Sequence, residues 1–225
     1  MAIDPVKHLL FDCDGVLVDS EYLASHLMAD MLKSYGSTTS AHEIMTQYVG
    51  QKDYEIVRIL SELHQMKLPD NFMDTYVRDL DRALEKEVQA IEGIHHVLEN
   101  NRLPRAIVSN SHLSRILTSL KRTGLDPFFD EGRIYTADRA NAAKPDPAIY
   151  RFVLDSLHLD PKEVVVIEDS PTGVSAAHGA GIRVIGFLAA SHSMQNQREK
   201  LEMNGAWKIV ETSEQLDALL KEICS

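Results

Sequence analysis

Two aspartates, Asp12 and Asp14, stand two positions apart at the end of an apolar run, Val6–Phe11. In extended chain, residues two apart face the same side, so one carboxylate can attack while its neighbour manages a proton. A second acidic pair, Glu168 and Asp169, closes the apolar run Val164–Ile167, and Ser109 and Asn110 close the run Arg105–Val108. Each run gives way to polar groups and then to the start of a helix: Phe11-Asp12-Cys13-Asp14-Gly15, Val108-Ser109-Asn110-Ser111 and Ile167-Glu168-Asp169-Ser170-Pro171. If the runs are parallel strands, these ends share one edge of a sheet, the edge where ligands bind. Asp12, Asp14, Ser109, Glu168 and Asp169 are then expected at one place, although the chain separates them widely.

Carboxylates crowded together raise one another's pKa unless a positive charge intervenes. An oxygen-only ligand set, without His or Cys, selects a hard cation, and Mg²⁺ is the common one in phosphate chemistry. A carboxylate nucleophile that forms an acyl-phosphate is an available route for phosphoryl transfer. Taken singly, each piece has a plainer reading. A lone DxD at a strand end is often solvated, Asp169 suits a turn, Lys144 suits a surface, and Ser111, Asp146 and Ser170 suit helix N-caps, the latter two with Pro following.

The elements that must position these groups alternate. Runs at Val6–Phe11, Arg105–Val108, Val164–Ile167 and Arg183–Phe187 read as buried strands, with Lys208–Val210 a weaker one and a final helix over about 213–223. Alternation of strand and helix predicts an α/β fold with a doubly wound parallel sheet. Between Ser20 and Gly93 only helical periodicity is found. Leu23, Leu27, Met31 and Tyr35 repeat every four residues, with Ala24, Met28 and Leu32 beside them and Gly36 as a C-cap. Ser40 with Glu43 reads as a capping box, Ile56, Val57, Leu60 and Leu63 as a third helix face, and Met73, Val77, Leu80, Leu84 and Val88 as a fourth, entered through Asp70. The division expected is an α/β core over 1–19 and 90–225 with an inserted all-helical domain over 20–89.

These motifs together resemble the haloacid dehalogenase-like hydrolase superfamily, in its phosphatase and phosphomutase branch with a helical cap. DCDGVLVDS at Asp12–Ser20, VSNS at Val108–Ser111, AKPDP at Ala143–Pro147 and IEDSPTG at Ile167–Gly173 look like the four family motifs, in family order. The resemblance implies a Rossmann-like core and a Mg²⁺-dependent phosphatase. Asp12 would be the nucleophile and Asp14 the acid and then the base. Asp12, the main-chain carbonyl of Asp14, and Asp169 would hold Mg²⁺, with Glu168 as ligand or outer partner. Ser109 would bind the transferring phosphoryl group, Lys144 would neutralise it, and Gly15 would allow close main-chain approach. Asn110, and Gly50 and Lys52 between two cap helices, are further substrate-binding candidates.

Dehalogenases of the superfamily lack the second aspartate, so Asp14 argues for phosphate chemistry. A mutase resembling β-phosphoglucomutase would carry a cap histidine and a loop arginine where this chain has Ala24 and Asp53. A phosphonate hydrolase would need a cap lysine in a different pattern from that around Lys52, and a binding-only relative would not need the full acidic set. The substrate expected is a sugar phosphate or sugar-acid phosphate, with phosphoglycolate as an alternative.

Composition sets the outer limits. The 225 residues include 34 acidic and 23 basic ones, a net charge of −11, with no basic block for nucleic acid. Two cysteines, Cys13 and Cys224, make no disulfide framework, and Cys13 should be buried opposite its aspartate neighbours. The first residues lack a signal-peptide pattern, and the longest apolar run, 184–190, is too short for a membrane span. A cytoplasmic enzyme acting on a small phosphorylated metabolite, with no obligate protein partner, is expected. Gly179 and Gly181 precede a strand and so do not make a dinucleotide fingerprint, and His95, His96 and His112 read as surface residues.

Overall fold

The computed structural model describes residues 5–48, 51, 53–190 and 194–224. Its first strand, β1 (His8–Phe11), is followed by four helices: α1 (Ser20–Lys33), α2 (Ala41–Gln47), α3 (Asp53–Leu63) and α4 (Phe72–Glu87). Strands and helices then alternate: α5 (Ile94–Asn100), β2 (Arg105–Ser109), α6 (Leu113–Thr123), β3 (Ile134–Thr136), α7 (Ala137–Ala140) and α8 (Ala148–Leu157). The chain ends with β4 (Val164–Glu168), α9 (Pro171–Gly179), β5 (Arg183–Phe187), α10 (Met194–Met203), β6 (Lys208–Val210) and α11 (Ser213–Ile223).

All paired strands are parallel, in the order β3-β2-β1-β4-β5-β6, so the expected doubly wound sheet is present. Side chains alternate across it with a period of two, as a sheet covered on both faces requires. Leu9, Phe11, Val165 and Ile167 join the apolar cluster that continues into α1–α4, whereas Leu10, Ala106, Val164 and Val166 join the cluster under α8 and α9. Strand order reverses beside β1, between β2 and β4, which puts the crevice where Asp12 and Glu168 end their strands.

Among the described residues of 20–89 there are four helices and no strand, with caps and faces partly as expected. Ser40 and Glu43 form the capping box of α2. The buried stripe of α4 is Phe72, Tyr76, Leu80 and Leu84, while Val77 is exposed, as is Leu63 on α3. The two tyrosine-or-phenylalanine positions carry the packing that the shorter aliphatic neighbours were expected to carry. Helix α4 begins at Phe72 with Asn71 as N-cap, not at Asp70. The short β3 had no expectation behind it, because three residues are too few for an alternating pattern to register. Chain leaving the sheet and chain returning to it run side by side. Asp19 N–H donates to the Gln89 carbonyl at 2.9 Å, and Ile91 N–H to the Leu17 carbonyl at 3.0 Å.

Candidate active site

Asp12 is seated by the sheet itself: its main-chain N–H donates to the Ile167 carbonyl at 3.0 Å. The next residues fold tightly, with Leu17 and Val18 N–H both donating to the Cys13 carbonyl, at 2.9 and 3.1 Å. Cys13 is buried in the apolar cluster, as expected. Gly15 has φ +76°, and a Cβ there would stand 2.1 Å from Asp169 Oδ2. Glycine is required at this position by both the left-handed main chain and the approach of that carboxylate.

Lys144 is the main departure from a piecewise reading of the sequence. It is only 6% exposed, and its Nζ lies 2.8 Å from Asp12 Oδ1 and 2.6 Å from Glu168 Oε1. Glu168 is fully buried, and its Oε2 accepts from the Ser170 N–H at 2.8 Å and the Ser170 hydroxyl at 3.0 Å. Ser170 in turn caps α9, accepting from the Gly173 N–H at 3.1 Å, with Pro171 in the first turn. Gly173 leaves the space that Glu168 fills, since a Cβ there would lie 1.6 Å from Oε1. A chain of contacts therefore runs from the start of α9 through Glu168 and Lys144 to Asp12.

Asp14 is held apart from this chain. Its Oδ1 accepts from the Ser20 hydroxyl at 2.6 Å and its Oδ2 from the Ser111 hydroxyl at 2.7 Å. Ser111 was expected as a helix cap; instead His112 occupies the N-cap of α6 without a side-chain bond, and Ser111 serves Asp14. Asp146 is not the N-cap of α8 as expected, since Pro147 holds that place, but its Oδ1 accepts from the N–H of Ala148, the first helical residue, at 2.8 Å. Ser109 is buried at the end of β2, where its Oγ accepts from the Ser111 N–H at 3.1 Å. Asn110 spends its amide on the main chain of Lys144, accepting from its N–H at 2.9 Å and donating to its carbonyl at 3.1 Å. Gly50 and Lys52 lie outside the described residues.

Charge is unbalanced at this edge. Burial pushes the Asp12 carboxyl well above the usual range; Lys144 opposes the shift, and the Glu168 and Asp14 charges add to it. Burial raises Asp169 likewise, with help from Glu168, Glu21 and Asp12. For Lys144, burial alone would lower the pKa, but the Asp12 and Glu168 carboxylates outweigh it and hold the ammonium charged. Oxygens of Asp12, Glu168 and Asp169 all lie within 4.8 Å of one another. An oxygen-only, over-negative donor set of this kind fits a hard divalent cation. The Asp14 carboxylate is not part of it.

Sequence reasoning missed three participants. Ser20 ends the first motif without a role of its own in the sequence reading, yet its hydroxyl donates to Asp14 Oδ1 at 2.6 Å. Glu21, in the first turn of α1, keeps an exposed surface, yet loss of hydration and then the charges of Asp14, Asp19 and Asp53 push its pKa up to about 7. Gln197, on α10, donates to the Asp169 carbonyl at 2.8 Å from far along the chain. No helix among the described residues is long and apolar enough to cross a membrane.

Comparison with known proteins agrees with this geometry. Residues 9–187 match the family model described as haloacid dehalogenase-like hydrolase. The chain is 32% identical over 223 residues to a phosphorylated carbohydrates phosphatase of Thermotoga maritima, covering 97% of this chain and 100% of that one. It is 28% identical over 189 residues to the 6-phosphogluconate phosphatase of Escherichia coli, covering 84% and 85%. A HAD family hydrolase from Deinococcus radiodurans, solved with bound phosphate and sodium, superposes with a TM-score of 0.85 at 31% identity, covering 97% and 96%. With its motifs gathered at one sheet edge and its relatives named as phosphatases, the chain belongs to the haloacid dehalogenase-like hydrolase family.

Proposed function

We propose that this chain is a Mg²⁺-dependent phosphatase that hydrolyses a sugar phosphate or sugar-acid phosphate through an aspartyl-phosphate on Asp12. One observation carries the reading: Asp12, paired to a buried lysine, stands beside Glu168 and Asp169, while Asp14 is held separately by two hydroxyls. Two carboxylates in such different surroundings suit two different roles. A carboxylate oxygen of Asp12 attacks phosphorus and the bond to the leaving oxygen breaks, with Asp14 supplying the proton that oxygen needs. Asp14, now ionised, takes a proton from water as that water attacks the phosphorus, which releases Asp12 and inorganic phosphate. Lys144 and Ser109 would stabilise the phosphoryl charge, the larger part of catalysis in this class of reaction.

Asp12, the Asp14 main-chain carbonyl and Asp169 would hold the Mg²⁺, which supplies charge neutralisation and a template for the phosphoryl oxygens. Both Glu168 oxygens are already engaged, which favours an outer role for it. The segment 20–89 serves as a cap over a core made of 1–19 and 90–225, a division supported by the paired crossings at Asp19 and Ile91. Within the cap, Gly50 and Lys52 are the candidates for reading the leaving group. Ala24 and Asp53 offer neither an imidazole nor a guanidinium, which favours hydrolysis over phosphoryl shuttling. Names of the carbohydrate-phosphate relatives support the substrate class.

The test is a panel of phosphorylated sugars, 6-phosphogluconate and phosphoglycolate, assayed for free phosphate with and without chelator. Release from the sugar and sugar-acid esters should stop with chelator and return with Mg²⁺. Turnover that ignores the chelator would remove the metal role, and isomerisation without phosphate release would favour a mutase.

A further inference from the structure

Gln197 belongs to none of the motifs that gather at the sheet edge, yet it reaches them. Helix α10 carries the sequence Met194-Gln195-Asn196-Gln197-Arg198-Glu199-Lys200-Leu201-Glu202-Met203. Among its residues from Asn196 onward, only Gln197 and Leu201 are buried, one turn apart on the same face. Leu201 has an evident packing role against Gly186 of β5. Gln197 is 5% exposed, and a second leucine would fill such a position at lower cost if packing were its only task. Its Nε2 donates to the Asp169 main-chain carbonyl at 2.8 Å, while its buried Oε1 has no hydrogen-bond partner among the described residues. A half-satisfied amide is expensive for stability alone.

What the amide does is fix one end of Asp169. The carboxylate end lies against Gly15, where no side chain could intrude, and the main-chain end is tied to α10. We propose that Gln197 is a positioning residue for the metal centre: by anchoring the Asp169 main chain it sets where that carboxylate stands against Asp12. The proposal rests on the metal role given to Asp169 above. Partners that orient a ligand typically change metal affinity by about 10–100-fold when removed.

Mg²⁺ binding to the metal-stripped protein, followed by isothermal titration calorimetry, tests this without reference to turnover. Gln197→Met and Gln197→Leu both remove the donor and put an apolar side chain of similar size in its place, so either one that folds is informative. Each should bind Mg²⁺ about tenfold more weakly than wild type or worse, with the far-ultraviolet circular dichroism unchanged. Asp169→Ala is the reference and should abolish binding. Wild-type affinity in a folded Gln197 variant, with Asp169→Ala defective, would overturn the proposal alone. Wild-type affinity in Asp169→Ala as well would overturn the metal reading on which it stands.

Discussion

Lys144 and Arg58 are both cations paired to a glutamate at close range, in opposite surroundings. The Lys144–Glu168 pair, at 2.6 Å, has side chains 3% and 0% exposed at the sheet edge. The Arg58–Glu62 pair, at 2.9 Å on α3, has side chains 62% and 68% exposed on the helical segment. Water and salt absorb the second pair, but nothing replaces the first. The same contrast runs through the molecule. At the sheet edge, charges are confined to chosen contacts and each is coupled to the next. On the helices, apolar Leu63, Val77 and Tyr54 face solvent, and ion pairs such as Arg58–Glu62 and Arg82–Asp79 stand in water. The chemistry we propose is placed where charges cannot relax.

The largest effect expected is on turnover. Asp12→Asn should lower kcat by about 10⁴-fold or more, as loss of a nucleophile does, with circular dichroism unchanged. Activity kept at more than a small fraction of wild type would break the assignment.

Lys144→Met sharpens the comparison in stability. It leaves Asp12 and Glu168 buried without their cation, and breaking such a pair costs about 3–5 kcal/mol. Urea unfolding should show that loss, and a loss below about 1 kcal/mol would mean the edge is as tolerant as an exposed pair.

Glu21 offers a smaller effect with a defined sign. Its ordinary pKa is 4.5 and the folded value is about 7, so between these values the unfolded chain gives up its proton first. Stability then declines as pH rises through that window and is level above it. Thermal unfolding of Mg²⁺-free Glu21→Gln should match wild type in acid and exceed it above pH 7. Parallel curves for the two proteins at all pH values would show that Glu21 titrates normally. Smallest of all, Arg58→Ala should change stability by no more than about 0.5 kcal/mol, and a larger change would erase the contrast between the regions.

Much of this site was legible before any coordinates, because buried strands write themselves as short aliphatic runs. The ends of those runs bring Asp12, Asp14, Ser109, Glu168 and Asp169 to one edge of a parallel sheet, but they do not fix the strand order. The three-residue β3 carries no such pattern. Phe72 and Tyr76 share the buried face of α4 with Leu80 and Leu84, a stripe that an aliphatic repeat alone does not reveal. Ser111 looked like a cap because local sequence cannot show that its hydroxyl faces Asp14, distant in the chain. Lys144 read as a surface residue until the motifs were taken together, since burial of a lysine depends wholly on partners elsewhere. Gln197 had no sequence signal at all; its role lies in one contact across 28 positions.

The central claim is that Asp12 carries the phosphoryl group. An acyl-phosphate can be trapped by quenching the enzyme during turnover and reducing it with borohydride, which converts the modified aspartate to homoserine. Peptide mass spectrometry should then find homoserine at position 12, dependent on both substrate and Mg²⁺. Homoserine at another position, or none in an enzyme that is turning over, would contradict the account.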